Sequence, residues 1–438
     1  MTMIGRMSGM ITVALAFAAP AAAQQRCPAP PTPQSMMERL PAPMALADRY
    51  IKERMAPGIV IAWGCGDVNP TIIAAGSVAA EAGAADVTAD TLWRVYSMTK
   101  PITGMAAMLL IEDGKLRLDQ PIAEIIPAFK NMKVLTDPAS GLASRPAKTP
   151  ITVRHLLTHT AGLGYSIVTK GPLLKEYERL GILPGAVNAQ MEAQMAAVRP
   201  KSLVEFANRT ASLPLIAEPG TEWSYSIGLD VLGAVIEVAS GMPFERFVKT
   251  RLLDPLGMAS TYWTVPASEV GRLASNYAFV GDNLVPFDPA ATSVYLQPPS
   301  FAYGGAGLVM SAKDYDRFLH MLANGGELDG TRVMKAETVA TAMSDLLPAG
   351  VTFGGVDAGT GGTKGPKMGF GAGGSVYLED VPGGPGAGTY GWGGAAGTIA
   401  WVDPKHGVRG TAMVNYFPAD KWPLRADVTN AVYSELQQ

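Results

Sequence analysis

The spacing of hydrophobic and polar positions changes along the chain, and each change marks a different group of elements. From Met44 to Arg54 apolar residues recur at helical spacing, which predicts a first helix. "GIVIAWGCG" and "TIIAAGSVAA" follow as two β-rich runs separated by turn residues, the pattern of a hairpin. "TLWRVYS" is a short extended run, and "MTKPITGMAAMLLIEDGK" is apolar at helical spacing and closes on Gly114. From about 150 to 345 the pattern is mostly helical. Thr152 can cap "VRHLLTH" with Gly162 ending it, and "SLVEFANRTA", "IGLDVLGAVIEVASG" and "PFERFVKTRLLDPLGM" follow. Ser311 and Asp314 have the spacing of a capping box for "AKDYDRFLHMLANGG". The Met-rich piece 185–198 reads as an insertion whose methionines pack into a core or a lid. From about 351 glycine-rich, strand-like runs take over: "MGFGAGGSVYLED", "GTYGWGGAAGTIAWVD" and "VRGTAMVNYF". A helix over about 422–436 ends the chain.

Two strands alone are marginal. Strands at both ends with helices between them therefore predict one mixed sheet assembled from both ends, an α+β fold. The α/β part would take about 44–115 and 351–438, and a mostly helical lobe about 116–350. No internal repeat is found.

The first residues separate from this fold. In "MTMIGRMSGMITVALAFAAPAAAQQ", Arg6 precedes an apolar run from Met10 to Ala19, and Ala21-Ala22-Ala23 precede Gln24. That is the order of a secretory signal peptide over 1–23, cleaved near Ala23, leaving a mature domain over 24–438 and a periplasmic or secreted protein. The apolar run is too short to stay as a membrane span, and no later segment reaches the roughly 18 apolar residues one needs. Arg26 before Cys27 is not a lipoprotein signal. Cys27 and Cys65 are the only cysteines; either they form a disulfide in an oxidising compartment or Cys65 is a buried free thiol.

Charge excludes one class of partner. The net charge is −3 and no run of Lys or Arg occurs, so there is no nucleic-acid footprint.

Candidate chemistry centres on "SMTK", where Ser97 and Lys100 fall at the start of the predicted helix. Positions i and i+3 share a helix face, so the amine can reach the hydroxyl. Serine needs a base to take its proton, and a lysine can serve in the right surroundings. The helix N-terminus favours the alkoxide. A histidine triad is not indicated, because no Gly-x-Ser-x-Gly elbow occurs. His155 and His159 in "HLLTH" have zinc-like spacing on a predicted helix, but the glutamate of H-E-x-x-H is missing. Both are read as helix-packing residues, with no metal.

"SMTK", then "LLIEDGKLRLDQPIAEIIP", "ITVRHLLTHTAGLGY", "AEPGTEWSYSIGLDVLGAVIEVASG", "YGGAGLVMSAKDYDRFLHMLANGGELDG" and "YGWGGAAGTIAWVDP" occur in that order. Together they resemble the serine β-lactamase and penicillin-binding-protein superfamily, its class C-like branch, and within that the family VIII carboxylesterases. The resemblance runs from about 40 to 436 and implies a β-lactamase/transpeptidase-like fold: a mixed, mostly antiparallel sheet flanked by helices, with an inserted helical lobe. It implies no cofactor, since side chains and water suffice. By position, Ser97 becomes the acyl-accepting nucleophile, Lys100 its proton partner, and Tyr225 the tyrosine of the Y-x-N element. Which of Lys100 and Tyr225 is the base in each half-reaction stays open. The oxyanion would be held by the backbone N–H groups of Ser97 and Ala395.

Two departures set the expected substrate. The asparagine of Y-x-N is Ile227, and the cation opening the K-T-G or H-T-G motif is Trp392, followed by Gly393 and Gly394. Trp392 and Ile227 are expected to form an apolar mouth, with Tyr96, Tyr165 and Tyr303 lining the pocket. The resemblance thus implies a carboxylesterase acting on small-molecule esters. A β-lactamase, a D-amino-acid peptidase or amide hydrolase, and a transacylase are the enzymatic alternatives. A peptidoglycan- or penicillin-binding protein is the non-enzymatic one.

Overall fold

The computed structural model describes residues 40–354 and 365–436. The expected signal peptide and Cys27 lie outside these residues. Helix α1 (Ala42–Lys52) precedes the hairpin of β1 (Gly58–Cys65) and β2 (Thr71–Gly76), which pair antiparallel from Gly58 opposite Gly76 to Trp63 opposite Thr71. After β3 (Leu92–Arg94) comes α2 (Thr99–Glu112), then α3 (Val153–Leu157), α4 (Leu203–Ala211) and α5 (Gly228–Ser240). Strand β4 (Val309–Ser311) runs into α6 (Ala312–Ala323). The chain then returns through β5 (Met368–Phe370), β6 (Ser375–Tyr377), β7 (Tyr390–Gly393), β8 (Ile399–Asp403) and β9 (Val408–Met413) to α7 (Leu424–Leu436).

The main sheet has seven strands in the order β5-β6-β7-β8-β9-β1-β2, every neighbour antiparallel. Strand β1 joins the two ends of the chain, with Val60 opposite Met413 on one side and opposite Ala74 on the other. All eight of its residues are buried, because both faces are covered. Ile59, Ile61, Trp63 and Cys65 pack with Tyr50 of α1 and Val428 and Val432 of α7. Val60 and Ala62 face the larger core with α2, α5 and α6. This alternation is what a strand between two helical layers requires. Cys65 is disulfide-bonded, which removes the free-thiol reading.

Helix α2 is buried from Thr99 to Leu110 on every side, the mark of a central helix. Its Gly104 is a close-approach residue: a Cβ there would run into the Ala372 carbonyl in the loop between β5 and β6. The same loop presses on the first turn of α2, where a Cβ on Gly373 would lie 2.5 Å from the Lys100 carbonyl oxygen.

Four local expectations need correction. Helix α3 ends at Leu157, and His159 lies beyond it with a left-handed φ of 56°, so His155 and His159 do not share a helix. Ser311 caps α6 by accepting from the Asp314 N–H, but the Asp314 carboxylate turns away to Ser260 N and Thr261 Oγ1 instead of completing the box. The Met-rich stretch forms a helix over Ala189–Met195 with no buried residue, so its methionines are not core. The middle of the chain also holds a hairpin, Asn276–Val280 with Asn283–Asp288, turned by Gly281 at φ 65°. Among the described residues no helix is long and apolar enough to cross a membrane.

Candidate active site

Ser97 sits in a 3₁₀ turn, Tyr96–Met98, between β3 and α2, and the turn is clamped from several elements. Arg94, fully buried, pairs with Asp288 and donates to Ser293 Oγ, fixing the strand that leads in. Val95 N donates to the Leu308 carbonyl, and Leu308 N donates to Thr99 Oγ1. Tyr315 Oη donates to the Met98 carbonyl. Tyr96 has φ 42°, a conformation unusual for a bulky side chain, and its hydroxyl accepts from Asn276 Nδ2. Such strain persists where surroundings over-determine it, as they do here.

This clamp presents Ser97 Oγ to two partners. Lys100 Nζ lies 3.0 Å from it and donates also to the Gly305 carbonyl at 2.9 Å. The Tyr225 hydroxyl lies 2.7 Å from the same oxygen. Lys100 is fully buried, with its Nζ 4.7 Å from the Tyr225 ring centre and 5.4 Å from the Tyr165 ring centre. A serine hydroxyl within hydrogen-bond reach of an amine and a phenol can lose its proton to one while the other serves a leaving group.

The aromatic surroundings hold Tyr225 in place. Its ring packs against Tyr165 at 5.0 Å, His159 at 4.8 Å and Trp392 at 5.8 Å, with Trp223 stacked beyond. Phe353, Phe370 and Trp392 form a separate small core against Trp223 and Tyr225. Burial holds the Tyr165 phenol well above its usual range, with the neighbouring Tyr225 phenol and the Asp230 carboxylate opposing its ionisation further, so it stays neutral. Burial likewise drives His159 well below the ordinary imidazole range, helped by the nearby Lys100 charge. Its Nδ1 accepts from Ser226 N and bonds to Ser226 Oγ, so it braces the Tyr225 segment and is no proton carrier. His155 acts elsewhere, its Nδ1 accepting from Thr152 N in the α3 capping box. The two histidines therefore do not converge on a common ligand.

Gly394 brings the end of β7 against the nucleophile segment. A Cβ on it would strike the Val95 carbonyl oxygen and Thr398 Oγ1, so only glycine allows this approach. Gly393 is less constrained, because a Cβ there would meet only the mobile end of the Arg425 side chain. Ala395 follows, exposed, at the turn into β8.

A family model described as Beta-lactamase matches residues 47–433. The chain belongs to the beta-lactamase family. Among its relatives, Protein Rv1367c of Mycobacterium tuberculosis is 35% identical over 324 residues, covering 72% of this chain and 75% of that protein. Esterase EstB of Burkholderia gladioli is 33% identical over 370 residues, covering 79% of this chain and 83% of that protein. The structure of EstCE1, described as a hydrolase with promiscuous acyltransferase activity, aligns with a TM-score of 0.73 and 26% identity, over 91% of this chain and 99% of that one. The chain is thus a serine hydrolase or acyltransferase of the β-lactamase superfamily, near the family VIII esterases.

Of the site residues expected from sequence in this family member, Ser97, Lys100, Tyr225, Tyr165 and Trp392 come together. Tyr96 lies beside them, but with its side chain in a small cluster with Val187, Ala306, Ala396 and Phe417. Ile227 does not line an opening: it is wholly buried at the start of α5, and the apolar residues packed against Tyr225 are Trp392, Phe353 and Phe370 instead. Tyr303 is buried against Phe301 and the Arg199 guanidinium, two residues before Gly305. Sequence reasoning missed His159 as a brace, and it missed Asp230 and Gly305 behind Lys100. An acidic residue inside the apolar run "LDVLGAVI" was the available signal for Asp230.

Proposed function

We propose that the protein is an exported serine carboxylesterase that hydrolyses small esters through an acyl-enzyme on Ser97. The observation that carries this reading is the position of Ser97 Oγ, 3.0 Å from Lys100 Nζ and 2.7 Å from the Tyr225 hydroxyl. Ser97 Oγ bonds to the ester carbonyl carbon while its proton passes to Lys100 or Tyr225. The N–H groups of Ser97 and Ala395 hold the oxyanion. Collapse breaks the bond to the alcohol oxygen, which leaves with a proton from Tyr225. Water then attacks the acyl-enzyme, and the acid departs as Ser97 recovers its proton. Lys100 and Tyr225, both within reach of Ser97 Oγ, act as a coupled pair.

The preference for esters is supported by Trp392, which stands where the K-T-G or H-T-G motif places a cation for a substrate carboxylate and packs with Phe353 and Phe370. Export is supported by the charge, apolar run and A-x-A order of residues 1–23. The disulfide at Cys65 suits an oxidising compartment. Acyl transfer to an alcohol other than water is a second reading, favoured by the likeness to EstCE1.

The test is turnover of p-nitrophenyl butyrate by the wild type and Ser97→Ala, with peptide mass spectrometry of a fluorophosphonate adduct. Turnover and a label on Ser97, both lost in the variant, are expected, with nitrocefin hydrolysed far more slowly. Turnover that survives in Ser97→Ala, or a label elsewhere, rejects the reading. Adding a primary alcohol and measuring transfer product separates esterase from acyltransferase.

A further inference from the structure

Asp230, the third residue of α5, is 1% exposed within a run that is buried from Gly228 to Ile236. One carboxylate oxygen, Oδ1, accepts the Gly305 N–H at 2.8 Å, while Oδ2 is buried without a hydrogen-bond partner. A buried carboxylate with an idle oxygen is costly and calls for an explanation.

Its neighbours supply one. Gly305 donates its N–H to Asp230 and offers its carbonyl to Lys100 Nζ at 2.9 Å, and Lys100 Nζ reaches Ser97 Oγ at 3.0 Å. The loop before it is pinned as well, because Thr103 Oγ1 of α2 donates to the Gly304 carbonyl at 2.7 Å. Gly304 is required by packing, since a Cβ there would lie 2.5 Å from the Leu229 carbonyl oxygen, and a Cβ on Gly305 would lie 2.6 Å from Asp230 Oδ2 and displace the carboxylate. Residues 303–307, "YGGAG", thus form a strap lying between the start of α5 and the start of α2. An asparagine could accept the Gly305 N–H as well as an aspartate does. It could not set a negative charge behind Lys100.

We propose that Asp230 is a positioning residue for Lys100: it anchors the strap whose Gly305 carbonyl accepts from Lys100 Nζ, and its negative charge behind that amine keeps Nζ against Ser97. This rests on the Ser97 acyl-enzyme reading and assigns a role to the strap. Burial pushes the Asp230 carboxyl up to about 6, while the Lys100 charge and the Gly305 amide pull it back. The groups facing it are Lys100 of α2, Tyr165 of the loop after α3, and Tyr303 of the strap. Both phenols are pushed upward by burial and stay neutral, so of these groups Lys100 is the one whose charge opposes burial at Asp230. Protonation of Asp230 as the pH falls through about 6 then produces the acid limb of activity.

The decisive comparison is Asp230→Asn against wild type in full-length protein, using ester turnover and the rate of fluorophosphonate labelling of Ser97. The variant is expected to lose about 10- to 100-fold in kcat and in labelling rate, part of the 10²–10⁴ that a placed acid–base group supplies, with KM within about twofold. The acid limb near pH 6 should vanish. Because the folded carboxyl binds its proton more tightly than the unfolded one, ionisation costs stability as pH rises through about 6. Asp230→Asn should therefore melt no lower than wild type at pH 8, an outcome that a merely structural pin would not give. Wild-type kcat with the acid limb intact, or a lowered melting temperature with a raised KM, overturns the proposal. Gly305→Ala pushes on the same carboxylate from the strap and should lower kcat likewise; if Asp230→Asn does not fold, unchanged kcat in Gly305→Ala overturns it. If wild-type Ser97 takes no label, the acyl-enzyme reading and this one fall together. If it labels and Asp230→Asn labels equally fast, only this one falls.

Discussion

Tyr225 separates placement from chemistry at the level of a single atom. Its ring is held by Tyr165, His159, Trp223 and Trp392, so Tyr225→Phe keeps every ring contact and removes only the hydroxyl 2.7 Å from Ser97 Oγ. Turnover of p-nitrophenyl butyrate is expected to fall by about 10²–10⁴-fold with little change in KM, since a proton-transferring group is lost and packing is not. A rise in KM at constant kcat would mean that the phenol binds substrate and moves no proton. Ser97 and Lys100 were legible in the sequence because three residues at a helix start determine their mutual reach. Tyr225, 128 residues away, was legible only through the order of motifs. Asp230 and His159 were not, because their partners, Gly305 and Ser226, meet them through tertiary contacts that no local spacing encodes.

At the scale of elements, close approach overrides propensity. Gly104 lies in the interior of α2, where replacing glycine by alanine ordinarily stabilises an exposed helix by about 1 kcal/mol. Here the added Cβ would be driven into the Ala372 carbonyl, and backbone on both sides leaves it no room. Gly104→Ala should therefore destabilise the protein by about 1–3 kcal/mol in chemical denaturation, the cost typical of overpacking, and should lower activity by displacing the start of α2. A gain in stability would show that the loop between β5 and β6 yields easily. The same scale explains what the hydrophobic pattern could and could not give. Strand β1 was clear because an unbroken apolar run bounded by turn residues has few other solutions. The helix Ala189–Met195 departs from the core half of the expectation because methionine reads as core by composition, whereas burial depends on what lies opposite. The hairpin at Asn276–Asp288 was hidden among helices, although Gly281-Asp282 is a turn signal.

Over the whole molecule, opposing buried groups set how stability follows pH. Burial pushes His155 down to about 4, with the nearby Arg154 charge adding to it and the Asp119 charge opposing it, and it drives His159 well below its usual value. An imidazole depressed in the folded state favours folding above its unfolded pKa of about 6.5, and that contribution is lost as pH falls. Asp230 runs the other way, since its raised carboxyl favours folding at low pH and loses that contribution as pH rises through about 6. Near pH 6.5 the two histidines outweigh the one carboxyl, so the melting temperature should begin to drop on acidification although Asp230 opposes it. His155→Gln tests this without breaking the helix start, because glutamine at that position of a capping box can still accept from Thr152 N. Its stability should depend on pH less steeply between 6.5 and 4 by up to one proton, about 1.4 kcal/mol per pH unit, adding to about 3 kcal/mol over the window. Asp230→Asn should steepen the same curve below pH 6. Two variants that bend one stability profile in opposite directions would locate its acid sensitivity in buried groups around α3 and α5, and identical slopes in both would place it among the surface carboxylates.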